Sequence, residues 1–129
     1  MPVNTDSPAV AVARAHVEAW SNHDFEAARA GLAADVTVDS TTTQPIMAPT
    51  HLTGAGPYMQ GLTYFAQTVI PGSAVILSAV GDERNALLSL TVEADLGQGK
   101  VVLPGARLYL LDDDDKIKAE QVIFFATPK

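Results

Sequence analysis

The stretch Val12–Ser40, VARAHVEAWSNHDFEAARAGLAADVTVDS, decides the fold of this chain. Read outward from its start, Ser7 followed by Pro8 predicts an N-cap and a first helical residue. Ala9, Ala13, His16, Val17 and Trp20 then recur at helical spacing and form one apolar stripe, with Arg14, Glu18 and Ser21 off it. Asn22-His23 reads as a turn, and His23 suits it because histidine and asparagine tolerate the left-handed backbone better than most residues. Asp24 predicts the cap of a second helix over Phe25–Ala33, with Glu26 in its first turn, where the helix dipole favours negative charge. Asp35–Ser40 alternates, with Val36, Val38 and Ser40 on one face, and predicts a strand.

Beyond Ser40, the segment Thr41–Thr53 has no periodicity and reads as a loop. A third helix is expected from Gly56-Pro57 to about Ile70, ending at Pro71-Gly72. Four strands follow at Ser73–Gly81, Asn85–Leu96, Lys100–Leu111 and Lys116–Ala126. Short turns at Asp82-Glu83, Gly97–Gly99 and Asp112–Asp115 make them an antiparallel meander. Helices followed by such a sheet predict an α+β class. No linker, internal repeat or low-complexity tract divides residues 1–129, which predicts one domain.

Bulk properties exclude several partners. The 129 residues carry 8 basic and 15 acidic side chains, for a net charge of −7. Phosphate-backbone binding needs clustered Lys and Arg, so neither nucleic acid nor an anionic membrane surface is an expected partner. No apolar run approaches the ~20 residues of a membrane span. The N-terminal MPVNTDSP lacks the basic and apolar regions of a secretory signal, and the expected location is the cytoplasm. With no cysteine, disulfides and thiolate chemistry are absent. The Asp112–Asp115 run lacks the ligand spacing and glycine of a calcium loop and reads as a solvated turn. Three histidines without close spacing predict no metal site.

Apolar residues fall on both faces of the last two strands. Val102, Ala106, Leu108 and Leu110 share one face and are taken as inward. Arg107 and Tyr109 then point outward, toward a second apolar face that one layer of helices cannot cover. That predicts a homodimer through the outer sheet face.

Two helices, an Asp-Val-Thr-Val strand following FEAARAGLAA, a long helix and a four-stranded meander resemble the NTF2-like superfamily. Within it, the SnoaL-like polyketide cyclases and ketosteroid isomerases are the most similar members, over about Ala9 to Ala126. The resemblance implies a cone, in which a curved, mostly antiparallel sheet wraps the three N-terminal helices around an apolar pocket. This fold hosts isomerases, cyclases, dehydratases, hydrolases and non-catalytic partners, so function has to come from the site. Ketosteroid isomerases place an oxyanion-donating tyrosine on the first helix, where this chain has His16. Their aspartate base falls on Ser40, and their protonated aspartate, after a Val-Val-x-Pro stretch, falls on Ala106. Both carboxylates are therefore absent, and isomerisation by that route is disfavoured.

The remaining expectation is a SnoaL-like isomerase, cyclase or dehydratase working by acid–base chemistry without cofactor or metal. The alternative is a non-catalytic dimeric module that binds an apolar ligand or a protein. His16 is the expected proton-transfer group, assisted by Ser40, although a histidine on an apolar helix face is more often structural. Trp20, Tyr58, Met59, Leu62, Phe65, Ala106 and Leu108 are expected to wall the pocket for an apolar small molecule. Glu120 and Gln121 are adjacent, and only one can face it. Alternation from Ile117 favours Gln121, alignment to the isomerase pattern favours Glu120, and a bulge would reconcile either.

Overall fold

A computed structural model describes residues 6–42, 50–95 and 97–124. Leu96, Phe125 and Ala126, expected at strand ends, lie outside the described residues, as do 43–49 of the expected loop. The helices are α1 (Pro8–Ser21), α2 (Phe25–Ala30) and α3 (Ala55–Ala66), and the strands are β1 (Leu32–Thr42), β2 (Thr50–Thr53), β3 (Val75–Gly81), β4 (Asn85–Asp95), β5 (Lys100–Leu111) and β6 (Ile117–Phe124). They form one curved, open six-stranded sheet in the order β2-β1-β6-β5-β4-β3. Every pairing is antiparallel except β1 with β6, which is parallel. The expected α+β cone with three N-terminal helices is the fold of the chain.

Local chemistry sets the helix ends. The Ser7 side chain accepts from the Val10 amide at 3.2 Å, with Pro8 in the first turn. This satisfies one of the orphan donors that a helix start leaves. His23 adopts φ 65° in the turn, and its Nε2 lies 2.7 Å from the Val69 carbonyl, tying the end of α1 to the end of α3. Asp24 caps α2 through the Ala27 amide. That helix is shorter than expected. It ends at Ala30, and the Gly31 carbonyl accepts from the Ile117 amide, so the chain enters the sheet at Leu32. Thr50–Thr53, read from sequence as loop, pairs with β1 as an edge strand in the register Asp39↔His51. Its polar composition suits an edge.

The stripe of α1 packs into the sheet as expected, with Ala9, Ala13, Val17 and Trp20 fully buried. Beneath them β4 contributes Ala86, Leu88, Leu90 and Val92. The orientation of β5 corrects the sequence reading. Asp95 pairs with Lys100, so Leu88 pairs with Arg107, Ala86 with Tyr109, and Leu87 with Leu108. Directly paired residues share a face. Arg107 and Tyr109 therefore point inward and are buried, while Leu108 is 38% exposed on the outer face. Strand β6 needs a second adjustment. Leu111 pairs with Ile117 but Leu110 with Ala119, so Lys118 is the extra residue of a bulge. The bulge turns both Ile117 and Glu120 inward, and Gln121 outward.

Candidate active site

The inner ends of α1, α3, β5 and β6 bring four polar side chains into one buried layer. His16 comes from the apolar stripe of α1, and its Nε2 lies 2.9 Å from the Tyr58 hydroxyl. Tyr58, in the first turns of α3, donates its hydroxyl proton to Oε1 of Glu120. Nη1 of Arg107 donates to the other carboxylate oxygen at 3.1 Å. Because the Tyr58 proton goes to Glu120, the histidine must supply the proton of the His16–Tyr58 contact. His16 is then the Nε2–H tautomer. The order His16, Tyr58, Glu120, Arg107 is a continuous relay in which each oxygen of the carboxylate meets a donor.

Electrostatics follow from burial. The side chains of Arg107 and Glu120 are 6% and 1% exposed, and a charge so placed is tolerated only when paired. Burial by itself would lower the Arg107 pKa, but the Glu120 carboxylate, Tyr109 and Tyr58 outweigh it and raise it. Burial pushes His16 below its ordinary value, against the pull of Glu120, so the imidazole is neutral at pH 7. Tyr58 and Tyr109 are pushed well above 10.0, by burial first and by Glu120 second. Both stay phenols: each keeps its proton to donate, and its oxygen can accept, as that of Tyr58 does from His16.

Toward the rim, the Arg107 guanidinium stacks on Trp20, 4.5 Å from the ring centroid, and lies 5.9 Å from that of Phe65. Such a cation over an aromatic face adds attraction beyond its ion pair. Trp20, Phe65, Leu90, Val92, Leu103, Arg107 and Val122 are among the residues that line a cavity there, with Ala106 and Ile123 also contributing. Its volume is about 10 Å³, room for about one water molecule.

The sequence-predicted residues are distributed as follows. His16, Tyr58 and Glu120 meet; Trp20, Phe65 and Ala106 border the cavity; Met59 and Leu62 are buried core. Ser40 is half-buried on β1, opposite Val122 and Thr50, and among the described residues no hydrogen bond joins it to His16. Leu108 and Gln121 lie on the other face of the sheet. Arg107 and Tyr109 were missed as site residues because their strand is apolar on both faces. The turn length would have found them: a four-residue connection between Asp95 and Lys100 fixes the Leu88↔Arg107 pair. His51 lies away from this layer, on the β1–β2 edge. Among the described residues no cluster of three or more His, Cys, Asp or Glu could hold a metal ion, and no helix is long and apolar enough to cross a membrane.

A curved sheet closed over three helices, with an ionisable cluster in its interior, defines a cone-fold protein of the NTF2-like kind. Residues 13–120 match the SnoaL-like domain family, and the chain belongs to that family. Solved structures similar to it include a protein from Kribbella flavida, 23% identical, with a TM-score of 0.75 over 89% of this chain and 84% of that one. An LEH-like epoxide hydrolase from Mycobacterium tuberculosis is 19% identical, with a TM-score of 0.71 over 91% of this chain and 82% of its own. RV0760c from the same organism, in complex with estradiol-17beta-hemisuccinate, is 15% identical, with a TM-score of 0.70 over 91% and 93%. At these identities the likeness is one of fold. No match was found among the curated proteins.

Proposed function

We propose that this chain is a SnoaL-like enzyme that performs acid–base chemistry on an apolar small molecule, with Glu120 as its base. The observation that carries this reading is the buried relay His16–Tyr58–Glu120–Arg107. A carboxylate inside an apolar cone is costly unless it is paired, and strongly perturbed groups concentrate at functional sites. Glu120 takes a proton from substrate or from an attacking water. Arg107 holds the carboxylate in place, and Tyr58, oriented by His16, holds its second oxygen. His16 thus becomes a positioning residue, since its Nε2 proton is committed to Tyr58. Ser40 has no assigned step. The epoxide hydrolase among the structural neighbours makes cyclic epoxides the first substrates to try, with cyclic ketones next. The estradiol derivative bound by RV0760c supports a small apolar ligand of this kind.

Glu120→Gln removes the base while keeping its shape. On a panel of cyclic epoxides and ketones it should lower any turnover by at least about a hundredfold, the scale of a lost general base. Unchanged turnover would overturn the assignment.

One observation favours the non-catalytic reading. Trp20 and Phe65, with ring centroids 6.0 Å apart, leave a cavity of only about 10 Å³. A binding module would show saturable ligand uptake and no turnover with any member of the panel. In either case we propose a homodimer through the outer face, where Val80, Leu87 and Leu108 form a cross-strand row of exposed apolar residues. Light scattering at micromolar concentration tests this, and a monomer would remove it.

A further inference from the structure

Within the buried relay, His16 is the member whose hydrogen bonding is incomplete. Its Nε2 lies 2.9 Å from the Tyr58 hydroxyl, while its Nδ1 is buried with no partner among the described residues. Neither neutral tautomer cures this. With the proton on Nε2, Nδ1 is a sealed acceptor. With the proton on Nδ1, Nε2 is the bare atom, because the Tyr58 proton goes to Glu120. Buried polar atoms of this kind are few in a native fold, and each calls for an explanation. A second proton on the ring turns Nδ1 from an unmet acceptor into a donor. The carbonyl of Ala28, among those that the end of α2 leaves without an in-helix partner, draws the ring toward that form.

The elements packed around the ring set when it takes that proton. Glu120 on β6 favours the protonated ring, whereas burial and Arg107 on β5 oppose it. Tyr58 on α3 and Tyr109 on β5, the latter with its ring centroid 5.8 Å from that of His16, are uncharged phenols. Strands β3 and β4 turn apolar side chains to the core, among them Ala79, Leu88 and Leu90. Glu26 and Arg29 of α2 and Glu18 of α1 are exposed, and Arg14 is paired with Asp6. The outcome is a ring that is neutral at pH 7 and takes its second proton below the ordinary 6.5 of histidine.

The effect of that proton reaches the carboxylate through Tyr58. An imidazolium gives the phenol oxygen a charge-assisted hydrogen bond, shorter and stronger than a neutral one. Hydrogen bonds in a chain polarise one another, so Tyr58 becomes a stronger donor to Oε1 of Glu120 while Arg107 holds the other oxygen. A carboxylate stabilised in its charged form loses basicity.

We propose that His16 is an acid-sensing switch for Glu120: a proton taken at its bare Nδ1 turns the base off through Tyr58. This rests on the reading of Glu120 as the base and adds its regulation. The site works at neutral pH and shuts off in mild acid.

The full chain, isotope-labelled at histidine nitrogens and glutamate carboxyl carbons, is followed by NMR from about pH 7.5 down to about pH 4.5, with near-UV ellipticity reporting on the fold. His51→Ala and His23→Asn remove the other two imidazole signals, and Glu120→Gln identifies its carboxyl carbon. At the neutral end His16 should show a protonated Nε2 and a bare Nδ1. As the pH falls, Nδ1 should gain its proton at one midpoint below 6.5. The Glu120 carboxyl carbon should move at that same midpoint, by part of a full protonation shift. Tyr58→Phe should keep a His16 titration and abolish the coupled carboxyl step. Turnover of the epoxide and ketone panel should fall about tenfold for each pH unit below the midpoint, the slope of one proton. His16→Gln keeps a donor to Tyr58 but takes no proton, and should move that fall to lower pH. The wild-type midpoints decide the coupling even where a variant fails to fold. Unfolding before His16 is protonated, a carboxyl carbon indifferent to that proton, or a coupled step that survives Tyr58→Phe would each overturn the switch. A coupled step in a protein that turns over no member of the panel would leave the link from His16 to Glu120 standing and remove the catalytic reading. Turnover lost in Glu120→Gln, with no coupled step in the wild type, would do the reverse.

Discussion

Two histidine–acid constellations occupy opposite sides of this sheet, and their settings give them opposite weight. On the β1–β2 edge, His51 Nδ1 lies 2.6 Å from Asp39, with Thr53 at 3.4 Å from the other ring nitrogen. In a list of residues that trio would read as a nucleophile, base and acid. Its histidine and aspartate are 61% and 54% exposed, so water competes for every bond and screens every charge. Inside the cone, His16, Tyr58, Glu120 and Arg107 have no such competitor. Geometry alone would rank the outer trio first, while burial ranks it last.

The largest test of that contrast is Arg107→Met. It leaves Glu120 buried and unpaired and should cost about 3–5 kcal/mol in chemical denaturation. A loss below about 1 kcal/mol would mean that water already reaches the pair. A smaller effect is expected from acid. The folded state holds His16 below its ordinary pKa, so the unfolded chain binds the proton first as pH falls. Stability should therefore decline from pH 7 downward through about 6.5, flattening only below the folded pKa. The slope due to His16 cannot exceed about 1.4 kcal/mol per pH unit. His16→Gln should flatten the denaturation midpoint across this range, and an unaltered slope would assign the dependence elsewhere. The smallest effect belongs to the outer side. His51→Ala should change stability by less than about 1 kcal/mol and leave turnover intact. A large loss of turnover would make the edge trio the site instead.

Much of the fold was legible because its signals were local. Ser7-Pro8, the α1 stripe and the turn at His23 each act within a few residues, and each lies where the sequence places it. β4 was legible for a similar reason, since Leu88, Leu90 and Val92 alternate cleanly with polar neighbours. Strand β5 was not, because Val101 through Leu111 is apolar on both faces and its orientation rests on register alone. Counting the turn as Gly97–Gly99 puts Leu108 opposite Leu88, whereas the pairing Asp95↔Lys100 puts Arg107 there. One residue in a turn exchanges every side chain between faces. The choice between Glu120 and Gln121 depended on the bulge at Lys118, which no periodicity could show. Half of the site therefore came from recognisable residues, His16 and Tyr58. The other half came from register.

The parallel pairing of β1 with β6 has a consequence for how the molecule comes into being. Val38 stands beside Glu120, joining the first strand to the last across most of the chain. Contacts so distant in sequence form late and slow folding. A growing chain can lay down α1, α2 and β1 early, but β1 lacks this neighbour until the final strand has been made. That strand also carries the carboxylate. The cone should close and gain its chemistry in the same step, so a chain cut short before β6 should be both unfolded and inert.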